Sequence, residues 1–314
     1  MSPLSIFLLN VRNAQEAANS LESEGFSVRI GRAITKPDQW YTEEELIGIS
    51  RETDAIMITG SHPITRNVME SSDRLFTIAK TGAGADAIDD AAATDLGILL
   101  TNTPVFENGM AVAEGTVARI LSLAVRLKED DAKLRRGEWR DSQHFFMRGK
   151  TVGIIGLGHI GSHVARLLEP LGVKIIATNR HGARGIAELL NVQLVNLNTL
   201  LTNSDFVTIH CPATPETRKM LGLDQLLLMK RTAFLINTAR GSIVDETALY
   251  NVLKDGRIAG AAIDVFEKEP LNMDSPLLDL SISDRVLLTS HTSGAIPEAR
   301  EASRLTQMKN CIAA

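Results

Sequence analysis

The chain has 314 residues, enough for two ordinary domains with buried cores, and its 44% apolar and 23% charged content excludes wholesale disorder, collagen-like repeats and coiled coil. With 33 Lys and Arg against 38 Asp and Glu, the net charge is −5. That balance predicts binding to neither nucleic acid nor an anionic membrane, so an anionic ligand must be caught locally. Cys211 and Cys311 are the only cysteines, without metal-ligand spacing or the density of a disulfide scaffold, and no run approaches the roughly 18 to 20 apolar residues that span a bilayer. These features, with no basic leader in residues 1–10, predict plain thiols, no metal site and a cytoplasmic location.

Apolar runs at 5–11, 55–60, 75–81 and 98–103 predict buried strands, and 14–24 and 43–52 have the charge and spacing of amphipathic helices. That alternation is the mark of parallel β-α units. Residues 108–136 predict one helix with apolar positions around most of its circumference (Met110, Val112, Val117, Ile120, Leu121, Leu123, Ala124, Leu127), hence buried or in a subunit interface. A second β-α series follows Gly149-Lys150, with six Val- and Ile-rich runs at 151–156, 174–178, 206–210, 233–237, 259–265 and 286–289. Six strands suffice for a dinucleotide-binding sheet. The tail, 297–314, opens with Pro297 and acidic Glu298 and Glu301, which suit a helix start.

The run Gly156-Leu157-Gly158-His159-Ile160-Gly161 follows an apolar strand and enters a helical stretch at 162–171, the context a dinucleotide fingerprint requires. Gly156 permits the tight turn, Gly158 the approach of a pyrophosphate and Gly161 close packing of helix on strand, while His159 and Ile160 stand at the helix start. The alternative is a glycine-rich turn with no ligand. Some 20 residues on, where NAD-binding units carry a carboxylate for the ribose, the sequence Ala177-Thr178-Asn179-Arg180 offers an amide followed by a guanidinium. Without the carboxylate a 2′-phosphate is not repelled, and Arg180, helped by Arg184, can bind it through charge-assisted hydrogen bonds of about 1.5–3 kcal/mol. NADP(H) is therefore the preferred cofactor, with NAD(H) the other candidate if these arginines are merely solvated surface charge.

Three later segments place a functional side chain just beyond an apolar run: Arg240 after Ile236-Asn237-Thr238-Ala239, Glu269 after Ile263-Asp264-Val265-Phe266, and His291 after Leu287-Leu288-Thr289-Ser290. Ligands of open α/β sheets sit beyond the carboxyl ends of the strands, so these three are candidates for one crevice. They are what reduction of a 2-keto acid uses. An arginine forks onto the carboxylate and carbonyl, a histidine gives the carbonyl oxygen a proton as hydride arrives, and a carboxylate stabilises imidazolium.

On these residues the chain resembles the D-isomer-specific 2-hydroxyacid dehydrogenase family. The matching stretches run in order over nearly its full length: Thr81-Gly82-Ala83-Gly84-Ala85-Asp86 with Ile88-Asp89, Thr101-Asn102-Thr103-Pro104, Val112-Ala113-Glu114, 149–161, His210-Cys211-Pro212-Ala213-Thr214, 237–241, 264–270 and the segment around His291. The resemblance implies an α/β fold of two doubly wound parallel-sheet domains with a cleft between them. A flavodoxin-like substrate domain would comprise 1–101 and 291–314, and a Rossmann cofactor domain 102–290. It implies Arg240 as the substrate-orienting residue, His291 as general acid in reduction and base in oxidation, and Glu269 as its partner. It also implies the Ala83-Gly84 backbone as a cradle for the substrate carboxylate, Asp264 near the nicotinamide carboxamide, and Cys211, Pro212, Thr238, Ala239, Arg240 and His291 as further cofactor contacts. A homodimer through the 108–136 helix is implied too, and the stretch after His291 is too short for the regulatory domain of longer relatives.

Departures fall at Ala87 in place of asparagine, Gly115 in place of histidine, His159 in place of arginine and Ser290 in place of proline. They leave the chemistry in place and blur the substrate, a small 2-keto acid such as glyoxylate or hydroxypyruvate. The other readings are a non-catalytic dinucleotide sensor like the corepressors of the carboxy-terminal-binding type, and a phosphite or formate dehydrogenase on the same fold. Phe106, Glu107 and Asn108 with His144, Phe145 and Phe146 line a pocket entrance or are plain loop and core residues. His62, His163 and His181 read as surface or capping residues, His210 has no catalytic role, and Trp40 and Trp139 read as packing residues.

Overall fold

The computed structural model describes residues 3–34, 39–60, 62–139, 144–180 and 182–314, so His181 lies outside the described residues. The chain divides into two units, Met1–Asn108 with Ile296–Ala314, and Gly109–Ala295. Each is built on one parallel sheet.

In the first unit β1 (Ser5–Leu9), α1 (Ala14–Ser23), β2 (Ser27–Ile30), α2 (Glu43–Arg51), β3 (Ala55–Ile58), α3 (Arg66–Glu70), β4 (Thr77–Lys80), α4 (Asp90–Asp95) and β5 (Leu99–Thr101) alternate along the chain. The strands run side by side in the order β2-β1-β3-β4-β5, a doubly wound arrangement. The central strands are buried, which is why their apolar runs are legible; β2 is an edge strand with mostly exposed residues and carries no such run. Thr42, Thr65 and Asp89 each accept a backbone N–H of the helix that follows, and Thr42 forms a reciprocal capping box with Glu45. The carboxy-terminal helix, Pro297–Ala313, packs on this sheet: Gln307 is fully buried, and its Nε2 donates to the carbonyls of Ile58 (3.0 Å) and Ala79 (2.6 Å).

The second unit contains α5 (Phe106–Ala124), within which the division falls, then α6 (Leu127–Arg135), β6 (Thr151–Ile155), α7 (His159–Leu168), β7 (Lys174–Thr178), α8 (Arg184–Leu189), β8 (Gln193–Leu194), α9 (Leu197–Asn203), β9 (Phe206–Ile209), α10 (Leu223–Leu227), β10 (Phe234–Asn237), α11 (Glu246–Lys254), β11 (Gly260–Ile263) and β12 (Val286–Leu288). The sheet order is β8-β7-β6-β9-β10-β11-β12, all parallel. Its strands are bounded on one face by a core that includes Leu200, Leu226, Leu249 and Leu253, and on the other by one that includes Ile120, Val164, Leu168 and the stacked rings of Phe206 and Phe234.

Several expectations are corrected. The second sheet has seven strands, since β8 is a two-residue exposed edge strand without an apolar run. The single helix expected over 108–136 starts at Phe106 and breaks at Arg126, whose backbone is left-handed (φ 48°); α5 buries eight of its 19 residues, whereas α6 buries none and is laced with ion pairs. The boundaries expected at 101/102 and 290/291 lie further on. Thr103 exchanges hydrogen bonds with Gly82 and Asn102 donates to the Ala83 carbonyl, which keeps 102–103 in the first unit. Residues 291–293 are bonded to Asp264 and belong to the second. His62 and His163, expected as surface or capping residues, are buried: His62 stacks on Trp40 (centroids 4.5 Å apart) and His163 meets His159 edge-on. Trp139, expected to pack, is 76% exposed. No helix among the described residues is long and apolar enough to cross a membrane, and no group of His, Cys, Asp or Glu among them could hold a metal ion.

Candidate active site

The register of the second sheet aligns three strand ends. Asn237 pairs with Ile263, and Ile263 with Leu288, so β10, β11 and β12 finish side by side and hand the chain to the loops that carry Arg240, Glu269 and His291. Asn237 closes the first loop with its own amide, donating from Nδ2 to the Arg240 carbonyl and accepting the Ala239 N–H at Oδ1. Gly241, next to Arg240, lies against the second loop so closely that a Cβ there would sit 1.9 Å from the Phe266 carbonyl carbon. Only glycine lets the two loops meet. Glu269 is fixed by the Phe266 N–H, which donates to Oε1 at 3.1 Å.

The other Glu269 oxygen, Oε2, lies 2.8 Å from Nδ1 of His291. The imidazole is thus oriented at one nitrogen by a carboxylate, on a side chain that is half exposed. His291 holds a left-handed backbone conformation, φ 53°, that a side-chain-bearing residue seldom adopts. Hydrogen bonds over-determine it: His291 N–H donates to the Asp264 carbonyl (2.7 Å), and the next two amides, Thr292 and Ser293, donate to the Asp264 carboxylate at 3.0 and 2.9 Å. Asp264 is fully buried and also receives Arg119 of α5 (2.7 Å) and the Thr289 hydroxyl. Burial acts to raise its carboxyl, but hydrogen bonds from Ser293, Thr289 and Thr292 outweigh it and hold the group below its ordinary value.

At the end of β6 the glycine-rich loop has the shape its spacing predicts. Gly156 has φ 101°, and a Cβ there would fall 2.7 Å from the Cys211 nitrogen, so the loop after β9 closes against it; one at Gly161 would fall 2.1 Å from the Gly156 carbonyl oxygen. Gly158, by contrast, faces open space and caps α7 without any side-chain hydrogen bond, at a helix start, where the backbone favours an anion. Leu157 N–H donates to Oδ1 of Asn179 (3.2 Å), which ties the loop to the end of β7. These residues fit a dinucleotide pyrophosphate. Arg180 reaches Glu216 at 3.3 Å across the loop after β9, and Arg184 opens α8, exposed. Glu216 is held below its ordinary value by the Thr214 hydroxyl and by Arg180.

Residues 117–293, more than half of the chain, match the family model described as D-isomer specific 2-hydroxyacid dehydrogenase, NAD binding domain. The chain belongs to the D-isomer specific 2-hydroxyacid dehydrogenase family. A glyoxylate reductase of Aeropyrum pernix is 41% identical over 279 residues, 86% of this chain and 82% of that protein. A D-3-phosphoglycerate dehydrogenase of Methanocaldococcus jannaschii is 38% identical over 292 residues, 92% of this chain and 53% of that protein, so the chain spans about half the length of such relatives. Among solved structures, an acyclic imino acid reductase in complex with NADPH and D-arginine has a TM-score of 0.85 at 28% identity, covering 98% of this chain and 96% of that one.

Within this family member, Glu269 and His291 are in direct contact and Arg240 stands at the end of the adjoining strand. Two expected cofactor contacts are engaged within the protein. Asp264 has no exposed surface, and its oxygens accept from protein donors. The Thr238 hydroxyl is buried against that of Thr116 on α5 (2.8 Å). Ala83 and Gly84 lie in the first unit on a loop that follows Gly82 (φ 88°) and is pinned by Thr103 and Asn102. Of the residues read as a pocket entrance, Phe106 and Phe146 are exposed, whereas Phe145 packs edge-on against Phe234. Sequence reasoning missed Arg119, Thr289, Ser293 and Glu216. A guanidinium on an otherwise apolar helix face was the available signal for the first, because a buried charge requires a partner.

Desolvation also fixes the state of two groups beside the cofactor loop: it pushes His210 down to about 3 and the Cys211 thiol up to about 11, where the buried Cys311 also lies. At pH 8 only about one Cys211 side chain in a thousand is thiolate. Iodoacetamide alkylation of the native protein is therefore expected to be very slow at pH 8 and to quicken about tenfold per pH unit up to about pH 11. Labelling of Cys211 at pH 8 as fast as a free cysteine would contradict this environment.

Proposed function

We propose that the protein is an oxidoreductase that transfers a hydride between NAD(P)H and a small 2-keto acid, the reverse direction oxidising the D-2-hydroxy acid. The observation that carries this is the 2.8 Å contact of His291 Nδ1 with Glu269 on the strand end next to that of Arg240. The nicotinamide, when bound, supplies or accepts the hydride. The protein's part is the proton and the orientation. His291, oriented at Nδ1, gives a proton from Nε2 to the carbonyl oxygen as charge develops there, and Glu269 stabilises the imidazolium form that does so. Arg240 presents a planar fork that pairs with the 2-keto acid's carboxylate and carbonyl. In the reverse direction the same histidine, now neutral, removes the hydroxyl proton.

The pyrophosphate reading rests on Gly156, Gly158, Gly161 and the α7 amides, with His159 and Ile160 at the helix start and Cys211, Pro212 and Ala239 on neighbouring loops. NADP(H) is the preferred dinucleotide, because Asn179 replaces the ribose-binding carboxylate and Arg180 and Arg184 stand beside it. Glu216 works against that preference by engaging Arg180, so NAD(H) remains usable. A homodimer through α5 and α6 would cover Leu127 and Leu134, which are large, apolar and exposed, together with neighbouring Trp139. The two free cysteines suit a reducing, cytoplasmic setting.

Oxidation of NADPH and of NADH against a panel of 2-keto acids, including phosphorylated and sulfonated ones, tests the activity. Turnover of at least one is expected, and Arg240→Ala is expected to abolish it while leaving dinucleotide affinity near wild type; equal loss of both would remove Arg240 from substrate recognition. His291→Gln is expected to lower kcat by about 100- to 10,000-fold, and a near-normal rate would remove it from proton transfer. For the cofactor, the double change Asn179→Asp with Arg180→Ala is expected to move the kcat/KM ratio toward NADH by about 10- to 100-fold, the equivalent of one charge-assisted hydrogen bond. An unchanged ratio contradicts the NADP(H) preference.

A further inference from the structure

The buried network behind His291 contains one group that its loops do not supply. Arg119 projects from α5 with a side chain only 10% exposed, and its ion-pair partner Asp264 is completely enclosed. Its Nη2 donates to Asp264 Oδ1 at 2.7 Å and to the Thr289 hydroxyl at 2.6 Å, and that hydroxyl in turn donates to the same carboxylate oxygen. Its Nη1 donates to the Gly115 carbonyl one helical turn back, at 2.8 Å. Gly115 makes the room: a Cβ there would lie 3.1 Å both from Arg119 Nη1 and from the Ser293 carbonyl oxygen. The guanidinium is therefore wedged between the helix, the carboxylate and the loop that follows His291.

We infer that Arg119 is a positioning residue for His291, acting through the Asp264 carboxylate. A buried carboxylate with no cation is costly and tends to neutralise or move. With Arg119 bonded to its Oδ1, the Asp264 carboxylate gathers the N–H groups of Thr292 and Ser293, while its backbone carbonyl takes the N–H of His291. Those three bonds hold the left-handed turn at His291 and so the direction from which the imidazole meets Glu269. Arg119 touches none of the groups that exchange hydride or proton. Its effect is on where His291 stands, and the assignment rests on the dehydrogenase reading above.

The test is Arg119→Met and Arg119→Lys in the full-length protein, with kcat for a turned-over 2-keto acid, the NAD(P)H Kd by fluorescence, and the His291 imidazole resonance of histidine-labelled protein, assigned by its loss in His291→Gln. Arg119→Met is expected to lower kcat about 100-fold, the scale of an ångström-level misplacement, to keep the Kd within about twofold, and to shift or broaden the His291 resonance. Arg119→Lys, which keeps the charge, is expected to recover part of both. Should Arg119→Met not fold, Gly115→Ala serves in its place: alanine favours the helix, yet its Cβ must displace the guanidinium or the Ser293 backbone, so the same changes are expected in smaller measure. An unchanged kcat and an unchanged His291 resonance, or a loss confined to dinucleotide affinity, would overturn the assignment. Absence of turnover by the wild-type protein would overturn the dehydrogenase reading instead, and the His291 resonance would then decide the role of Arg119 alone.

Discussion

The second unit depends on one constraint: β10, β11 and β12 run parallel in a register that brings their carboxyl ends to the same level. Parallel strands cannot be joined by tight hairpins, so each must hand the chain to a loop at that edge, and every loop there is free to carry chemistry. What turns three loops into a site is how they are locked to each other. Gly241 brings the arginine loop against the backbone of the carboxylate loop, and Asp264, buried at the end of β11, gathers the backbone of the histidine loop. The exposed chemistry of Glu269 and His291 is thus held by groups that no solvent reaches.

The charges in this unit are divided between burial and exposure in a way that suits their tasks. Asp264 and Arg119 neutralise each other inside, where an unpaired charge would be very unfavourable. Glu269 and His291 pair nearer the surface, with the imidazole side chain half exposed. At the far end of the cofactor loop, Arg180 and Glu216 pair on the surface, where an ion pair contributes little and is readily exchanged for a better anion.

Much of this could be read from the sequence because it is local. The glycine spacing of 156–161, the replacement of a carboxylate by Asn179 and the placement of Arg240, Glu269 and His291 after apolar runs are all short-range patterns with a physical meaning. The central strands were legible since burial on both faces demands continuous apolar runs, whereas the edge strands β2 and β8, exposed and short, left no such trace. The helix over 108–136 was overextended because apolar periodicity does not register a single left-handed residue such as Arg126. The family resemblance singles out Asp264, but the donors that enclose it come from positions 119, 289, 292 and 293, which only the fold brings together. Arg119 itself was visible as an odd charge on an apolar helix, but its partner was not.

In the proposed reaction a hydride reaches a carbonyl carbon while His291 protonates the oxygen. Nuclear magnetic resonance of the product formed from hydroxypyruvate with NADPH deuterated at both C4 positions of the nicotinamide reads this directly. Deuterium at C2 of a D-configured hydroxy acid, with no solvent proton arriving there, is the expected result. Deuterium absent from C2, or a product of the L configuration, would contradict the assignment of this site to D-2-hydroxy acid chemistry.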